Sequence, residues 1–161
     1  MSFAVGVGTD VHRLEPGSGI PLGGVVVPCD KACVAVSDGD VLLHALTDAL
    51  LGGMGQGDIG ERYPESKVGK GESSRRFVEE TMLLLEARGG RVVNVDCTVD
   101  LERPRLASWK MRIRDSVAAL LRVSPGKVNI KAKTAEGLGS VGNGEAVSAQ
   151  VVALLELPDA S

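Results

Sequence analysis

The chain has 161 residues, 43% hydrophobic and 24% charged, with a net charge of −3. Those fractions belong to a globular domain with a sizeable core and exclude a disordered or collagen-like chain. The acidic balance speaks against a general nucleic-acid binder, and aromatics at 2% are too few for a base-stacking platform. No apolar run approaches the ~18 residues that cross a bilayer, so no membrane partner is expected. Met1–Ala4 carries no basic region followed by an apolar stretch, and no signal peptide is expected. The three cysteines (Cys29, Cys33, Cys97) lack a second closely spaced pair, so they read as reduced, mostly buried thiols of an intracellular-type compartment. Only two histidines, His12 and His44, are available for metal or acid–base chemistry.

In chain order, Ala4–Val11 alternates valines with small residues and predicts a first strand. Pro16–Gly19 is a turn, and Pro21–Val27 predicts a second, partly irregular strand. Ser37-Asp38-Gly39-Asp40 then opens a helix from Val41 to about Leu51, stopped by Gly52-Gly53. A loop punctuated by Gly and Pro follows over Gly55–Lys70. Ser73–Arg88 predicts a second helix closed by Gly89-Gly90, and Arg91–Glu102 alternates as a strand. Arg105–Leu121 predicts a third helix, Lys127–Lys133 and Ala146–Leu157 two more strands, with a Gly-rich turn from Glu136 to Gly144 between them. With no internal repeat and no linker, the whole of 1–161 reads as one α+β domain. The expected architecture is a layered sandwich: a mostly antiparallel sheet with helices packed on one side.

Charge is unevenly spread along this plan. Nine Lys or Arg lie between Leu101 and Thr134 against two acids, and none follows Thr134. A solvated helix face explains such a run, and so does contact with phosphate. Asp10 and His12, two apart on a strand, project from the same face and offer half of a metal site. His44 lies in the first helix with Asp40 four residues before it and Asp48 four after. Together Asp10, His12 and His44 could supply three ligands with a fourth position open, as a catalytic zinc site requires. Asp40 or Asp48 could then take the other ring N–H of His44; helix capping or solvation is the plainer role of either acid. Thr134 and Glu136, beside Lys131 and Lys133 at a strand end, suit a divalent ion carrying phosphates, or simply an exposed strand end.

Five segments then combine: Gly8-Thr9-Asp10-Val11-His12-Arg13-Leu14, the long run from Ser37 to Gly52, Gly57-Asp58-Ile59-Gly60, Glu102-Arg103-Pro104-Arg105 and Lys131-Ala132-Lys133-Thr134. In order, and nearly end to end, they closely resemble the 2-C-methyl-D-erythritol 2,4-cyclodiphosphate synthase family. The resemblance implies a phosphorus–oxygen lyase of the non-mevalonate isoprenoid pathway. It would convert 4-diphosphocytidyl-2-C-methyl-D-erythritol 2-phosphate to the cyclic diphosphate and CMP. By the same resemblance Asp10, His12 and His44 match zinc ligands, and Glu136 matches a ligand of a second divalent cation, magnesium or manganese. Thr134 matches a residue contacting the diphosphate in the transition state. Asp58, Ile59 and Gly60 match the segment that holds the methylerythritol part, with Tyr63 in the same loop. Pro104, Arg105 and Leu106, with Ala132 and Lys133, match a cytidine pocket offered by a neighbouring subunit of a homotrimer. The implied setting is cytoplasmic, or the plastid stroma for a mature plastid form.

The chain also departs from the family pattern. The family's His before Ser-Asp-Gly-Asp is Val36 here, which cannot donate a hydrogen bond and leaves Ser37 as the adjoining catalytic candidate. The family's Phe and Arg in the Gly-rich stretch are Ser140 and Asn143, and the segment after Tyr63 is Glu65-Ser66-Lys67. Val36 and Asn143 motivate a second reading, a zinc-containing nucleotide-binding or regulatory trimer without turnover.

Overall fold

The structure, a computed structural model, describes residues 1–159. Its first strand, β1 (Ser2–Pro16), is longer than the sequence pattern suggests. Gly6 and Gly8 are buried on one face, whereas Phe3, Val5, Val7 and Val11 are exposed on the other. The glycines, not the valines, therefore face the core. Pro21–Val27 is not one irregular strand. It contributes to a separate antiparallel hairpin, β2 (Gly19–Leu22) and β3 (Val25–Pro28). Gly23 and Gly24 make its two-residue turn with φ of +64° and +81°, the paired left-handed geometry that only glycine adopts without steric cost. A short strand, β4 (Lys31–Cys33), then pairs with the end of β1.

Helix α1 (Val41–Gly53) is almost wholly buried and runs through the glycine pair expected to stop it. Gly53 lies in the last turn, where an added Cβ would come within 2.7 Å of Leu155 Cδ1. Asp40 caps the helix, its carboxylate accepting from Leu43 N at 2.9 Å. The same buried carboxylate accepts from Gly23 N at 2.9 Å and Gly24 N at 2.7 Å, which ties the hairpin turn to the helix start. After the single turn α2 (Ile59–Arg62) comes α3 (Arg75–Ala87), amphipathic and packed on α1 through Phe77, Val78, Thr81, Met82 and Leu85. Strand β5 (Arg91–Asp100) leads to α4 (Lys110–Leu121), which begins later than Arg105 because residues 104–109 are a bend, irregular backbone and a turn. Strand β6 (Val128–Lys133), a helical turn α5 (Gly139–Gly142) inside the Gly-rich stretch, and β7 (Ala146–Leu157) complete the fold.

Five strands form one sheet in the order β4-β1-β7-β5-β6. The expectation of a mostly antiparallel sheet needs correction: the sheet is mixed, because β5 and β6 run parallel, joined by the α4 crossover. β1 lies antiparallel to β7 over twelve pairs, and β5 lies antiparallel to β7 with one irregularity near Val92 and Asn94. As expected, helices cover one face, and the core of Leu, Val, Ile and Ala side chains fills the layer between.

Contact between β1 and α1 is set by the missing side chains. An added Cβ at Gly6 would lie 1.8 Å from Ala49 O, and one at Gly8 would lie 1.8 Å from Ala45 O. Backbone therefore packs on backbone, closer than any other residue type permits. Gly8→Ala must push α1 off the sheet, and unfolding in urea should show a loss of at least about 1–3 kcal/mol.

Candidate metal centre and its clefts

This close packing brings the first helix over the end of β1 that carries Asp10 and His12. His44, one residue before the Ala45 that rests on Gly8, reaches down to meet them. Their ligand atoms form a small triangle. His12 Nε2 lies 2.9 Å from Asp10 Oδ2, His44 Nδ1 lies 3.1 Å from the same oxygen, and the two imidazole nitrogens are 3.1 Å apart. A tetrahedral ion with bonds of about 2.0–2.1 Å separates its ligand atoms by about 3.3 Å, within a few tenths of these edges. One carboxylate oxygen and two imidazole nitrogens suit a divalent metal, and among the described residues no other cluster of three acidic, His or Cys ligands forms. Burial works against the charge on Asp10, but hydrogen bonds to His12 and His44 outweigh it and hold the carboxyl well below the ordinary carboxylate range.

Neither acid flanking His44 in sequence serves it. Asp40 is committed to the Gly23, Gly24 and Leu43 amides, and burial raises its pKa. Asp48 accepts from Ile59 N at 2.7 Å instead, fixing the start of α2. The second ring nitrogen of His44 faces two hydroxyls, Ser74 Oγ at 2.8 Å and Ser37 Oγ at 3.2 Å. Ser74 in turn bonds to Asp38. Sequence reading missed Ser74, which looked only like a residue of a helix start. One local trace exists: Ser74 occupies the N-cap position of α3 yet makes no capping bond, because its hydroxyl is engaged elsewhere.

The triad lies in a cleft of about 570 Å³ that Ser37, Ile59, Gly60 and Tyr63 also line, as sequence reading grouped them. Val36 lines the same cleft, with Val34, Val68 and Phe77 adding apolar wall. Asp58 stands back from it and caps α2 by accepting from Glu61 N. A smaller cleft of about 120 Å³ is lined by Arg105, Leu106, Ala132, Lys133 and Thr134. Pro104 precedes it in the turn, and Glu136 is exposed beside it, its carboxylate 3.4 Å from Thr134 Oγ1. The two clefts open at the same end of the sheet. The strands that carry them, β1 and β6, are three positions apart, about 14 Å at the usual spacing, and neither Thr134 nor Glu136 lines the cleft of the triad.

Fold and site together define an α+β protein with a candidate metal site in an apolar-walled cleft. The YgbB family model matches residues 3–156, and the chain belongs to that family. It is 48% identical to the 2-C-methyl-D-erythritol 2,4-cyclodiphosphate synthase of Xylella fastidiosa, over 96% of this chain and 89% of that one. A solved structure described as 2C-methyl-D-erythritol-2,4-cyclodiphosphate synthase in a CDP-bound form superposes with a TM-score of 0.87. It is 38% identical and is covered to 99%, against 94% of this chain. The bifunctional IspDF of Campylobacter jejuni superposes at 0.93 with 33% identity; 98% of this chain matches, spanning 43% of that one.

The cysteines lie apart from this chemistry. Burial pushes the Cys33 thiol up to about 12, helped by the nearby carboxylates of Asp40 and Asp38, and burial does the same to Cys97. Both should resist alkylation by iodoacetamide at pH 8, with rates well below that of a free cysteine, checked by mass spectrometry of the folded protein. For Asp10 the sign runs the other way. Its lowered pKa contributes stability that is present above the ordinary 3.8 and is lost as pH falls below it. The stability gap between the metal-free chain and its Asp10→Asn variant should therefore narrow in acid titrations followed by circular dichroism.

Proposed function

We propose that this chain is a 2-C-methyl-D-erythritol 2,4-cyclodiphosphate synthase that releases CMP from 4-diphosphocytidyl-2-C-methyl-D-erythritol 2-phosphate. The convergence of Asp10, His12 and His44 at the floor of a cleft carries this reading, and the names of its relatives agree with it. An oxygen of the 2-phosphate attacks the β-phosphorus. The bond from that phosphorus to the oxygen bridging it to the α-phosphate breaks, and CMP leaves with that oxygen. No protein nucleophile is needed, so positioning and charge neutralisation supply the acceleration.

Asp10, His12 and His44 would hold zinc, whose Lewis acidity supplies charge neutralisation at phosphate oxygens when it is bound. Glu136 would carry the second divalent cation, magnesium or manganese. Ile59, Gly60, Tyr63 and the apolar wall orient the methylerythritol part and keep water out, with Asp58 holding their turn. Ser37 and Thr134 offer hydroxyl donors to the phosphates. Arg105, Leu106, Ala132 and Lys133, with Pro104, receive the cytidine.

The second cleft lies too far from the triad to serve it within one chain. We therefore assign the active site to subunit boundaries in a homotrimer, where one subunit's small cleft faces its neighbour's large one. The exposed apolar face of β1 and β7 (Phe3, Val5, Val7, Val11, Val152) supports burial of that surface between copies. Sedimentation should give three times the 16.7 kDa chain mass, and a monomer at micromolar concentration would count against the assembly.

The direct assay is phosphorus NMR of the zinc- and magnesium-loaded protein with the cytidine substrate. Formation of CMP and the cyclic diphosphate, with no solvent oxygen incorporated, is the expected result. Incorporation of labelled water would instead mark a hydrolase. Val36 stands where the resemblance implies a His donor, and removing such a donor commonly costs 10²–10³-fold in kcat. Val36→His should therefore raise kcat by roughly tenfold or more, with a smaller change in KM.

A further inference from the structure

The hydrogen-bond chain behind His44 determines which of its nitrogens can meet a metal. Asp38 bridges two loops: its carboxylate accepts from Ser74 Oγ at 2.5 Å, from Ser74 N at 3.1 Å and from Asp40 N at 3.1 Å. A carboxylate only accepts, so the single hydroxyl hydrogen of Ser74 is directed at Asp38. Toward His44, 2.8 Å away, Ser74 can offer only a lone pair. The ring nitrogen facing it, Nε2, must then carry the hydrogen. The opposite nitrogen, Nδ1, faces Asp10 Oδ2 at 3.1 Å and completes the triangle with Asp10 and His12, so a metal would take the Nδ1 lone pair while Nε2 keeps its hydrogen.

Ser74 is fully buried and gives up the helix cap its position invites, which leaves the first amide groups of α3 without that partner. Asp38 is anchored in turn, since its own N–H donates to Glu72 O and Gly71 N donates to Val36 O. The loop before α1 and the loop before α3 are thereby clamped together around one imidazole. The same proton placement presents a donor to Ser37 Oγ, which also accepts from Gly39 N, and so leaves the Ser37 hydrogen for the cleft.

We propose that Ser74, oriented by Asp38, is a positioning residue that locks His44 in the Nε2–H tautomer and so sets the metal affinity of the triad. The proposal deepens the functional reading above and rests on its assignment of the triad as a metal site. Partners of this kind commonly govern metal affinity by 10- to 100-fold.

Two measurements test it. In the metal-free, unaltered chain at pH 8, long-range proton–nitrogen NMR of the imidazoles should show a hydrogen on His44 Nε2. Competition titration with a zinc chelator should show Ser74→Ala weakened 10- to 100-fold at unchanged circular dichroism, and Ser74→Thr close to the unaltered chain. An Nε2 without a hydrogen, or a Ser74→Ala affinity within twofold of the original, overturns the proposal. Should Ser74→Ala fail to fold, the tautomer measured in the unaltered chain decides. If the unaltered chain binds zinc with the expected tautomer yet releases no CMP, the relay stands and the synthase reading fails.

Discussion

Everything at the site depends on the absence of two side chains from β1. Gly6 and Gly8 let the backbone of α1 settle directly on the strand, with Ala49 and Ala45 above them. His44 precedes Ala45, so its height and rotation above Asp10 and His12 follow from that seat. A metal triangle with edges near 3 Å tolerates little error, since displacing one ligand by an ångström breaks the coordination geometry. Rigid elements on both sides, a strand and a buried helix, are what make that accuracy possible.

A second layer of constraints acts through carboxylates that never touch the metal triangle. Asp40 holds the hairpin turn against the start of α1, Asp38 clamps two loops behind His44, and Asp48 fixes the start of α2. All three come from one short stretch around the first helix, and each satisfies backbone N–H groups that lack partners within their own elements. The acidic character of this stretch is thus mainly structural. It organises the walls of the cleft while the floor is left to two imidazoles and one carboxylate.

Much of this was legible before any coordinates. The helix from Val41 follows from its cap and apolar spacing, the strand over Arg91–Glu102 from its alternation, and the pairing of Asp10 with His12 from strand geometry. The resemblance grouped Asp58, Ile59 and Gly60 in one segment; Ile59 and Gly60 line the cleft of the triad together with Tyr63, whereas Asp58 stands back from it. Other features were misread for definite reasons. Gly23-Gly24 looked like an irregularity within one strand because their hydrogen-bond partner, Asp40, lies sixteen and seventeen residues away. Gly52-Gly53 looked like a helix stop because nothing local shows that Leu155 would occupy the space of a side chain there. For Asp40 and Asp48 spacing left both a capping role and a partnership with His44 open; Asp40 caps the helix, and the partner is Ser74, thirty residues on.

By itself the sequence determined most of the long elements, the residue types of the candidate metal triad and the family to which the chain belongs. These are carried by local periodicity, by capping chemistry and by the order of residues along motifs. Tertiary structure alone decided which face of β1 meets the helix, that β5 and β6 run parallel, which hydroxyl stands behind His44, and that the two clefts lie three strands apart. Each depends on contacts between residues far apart in the chain, made by packing and hydrogen bonding that spacing along the sequence does not encode.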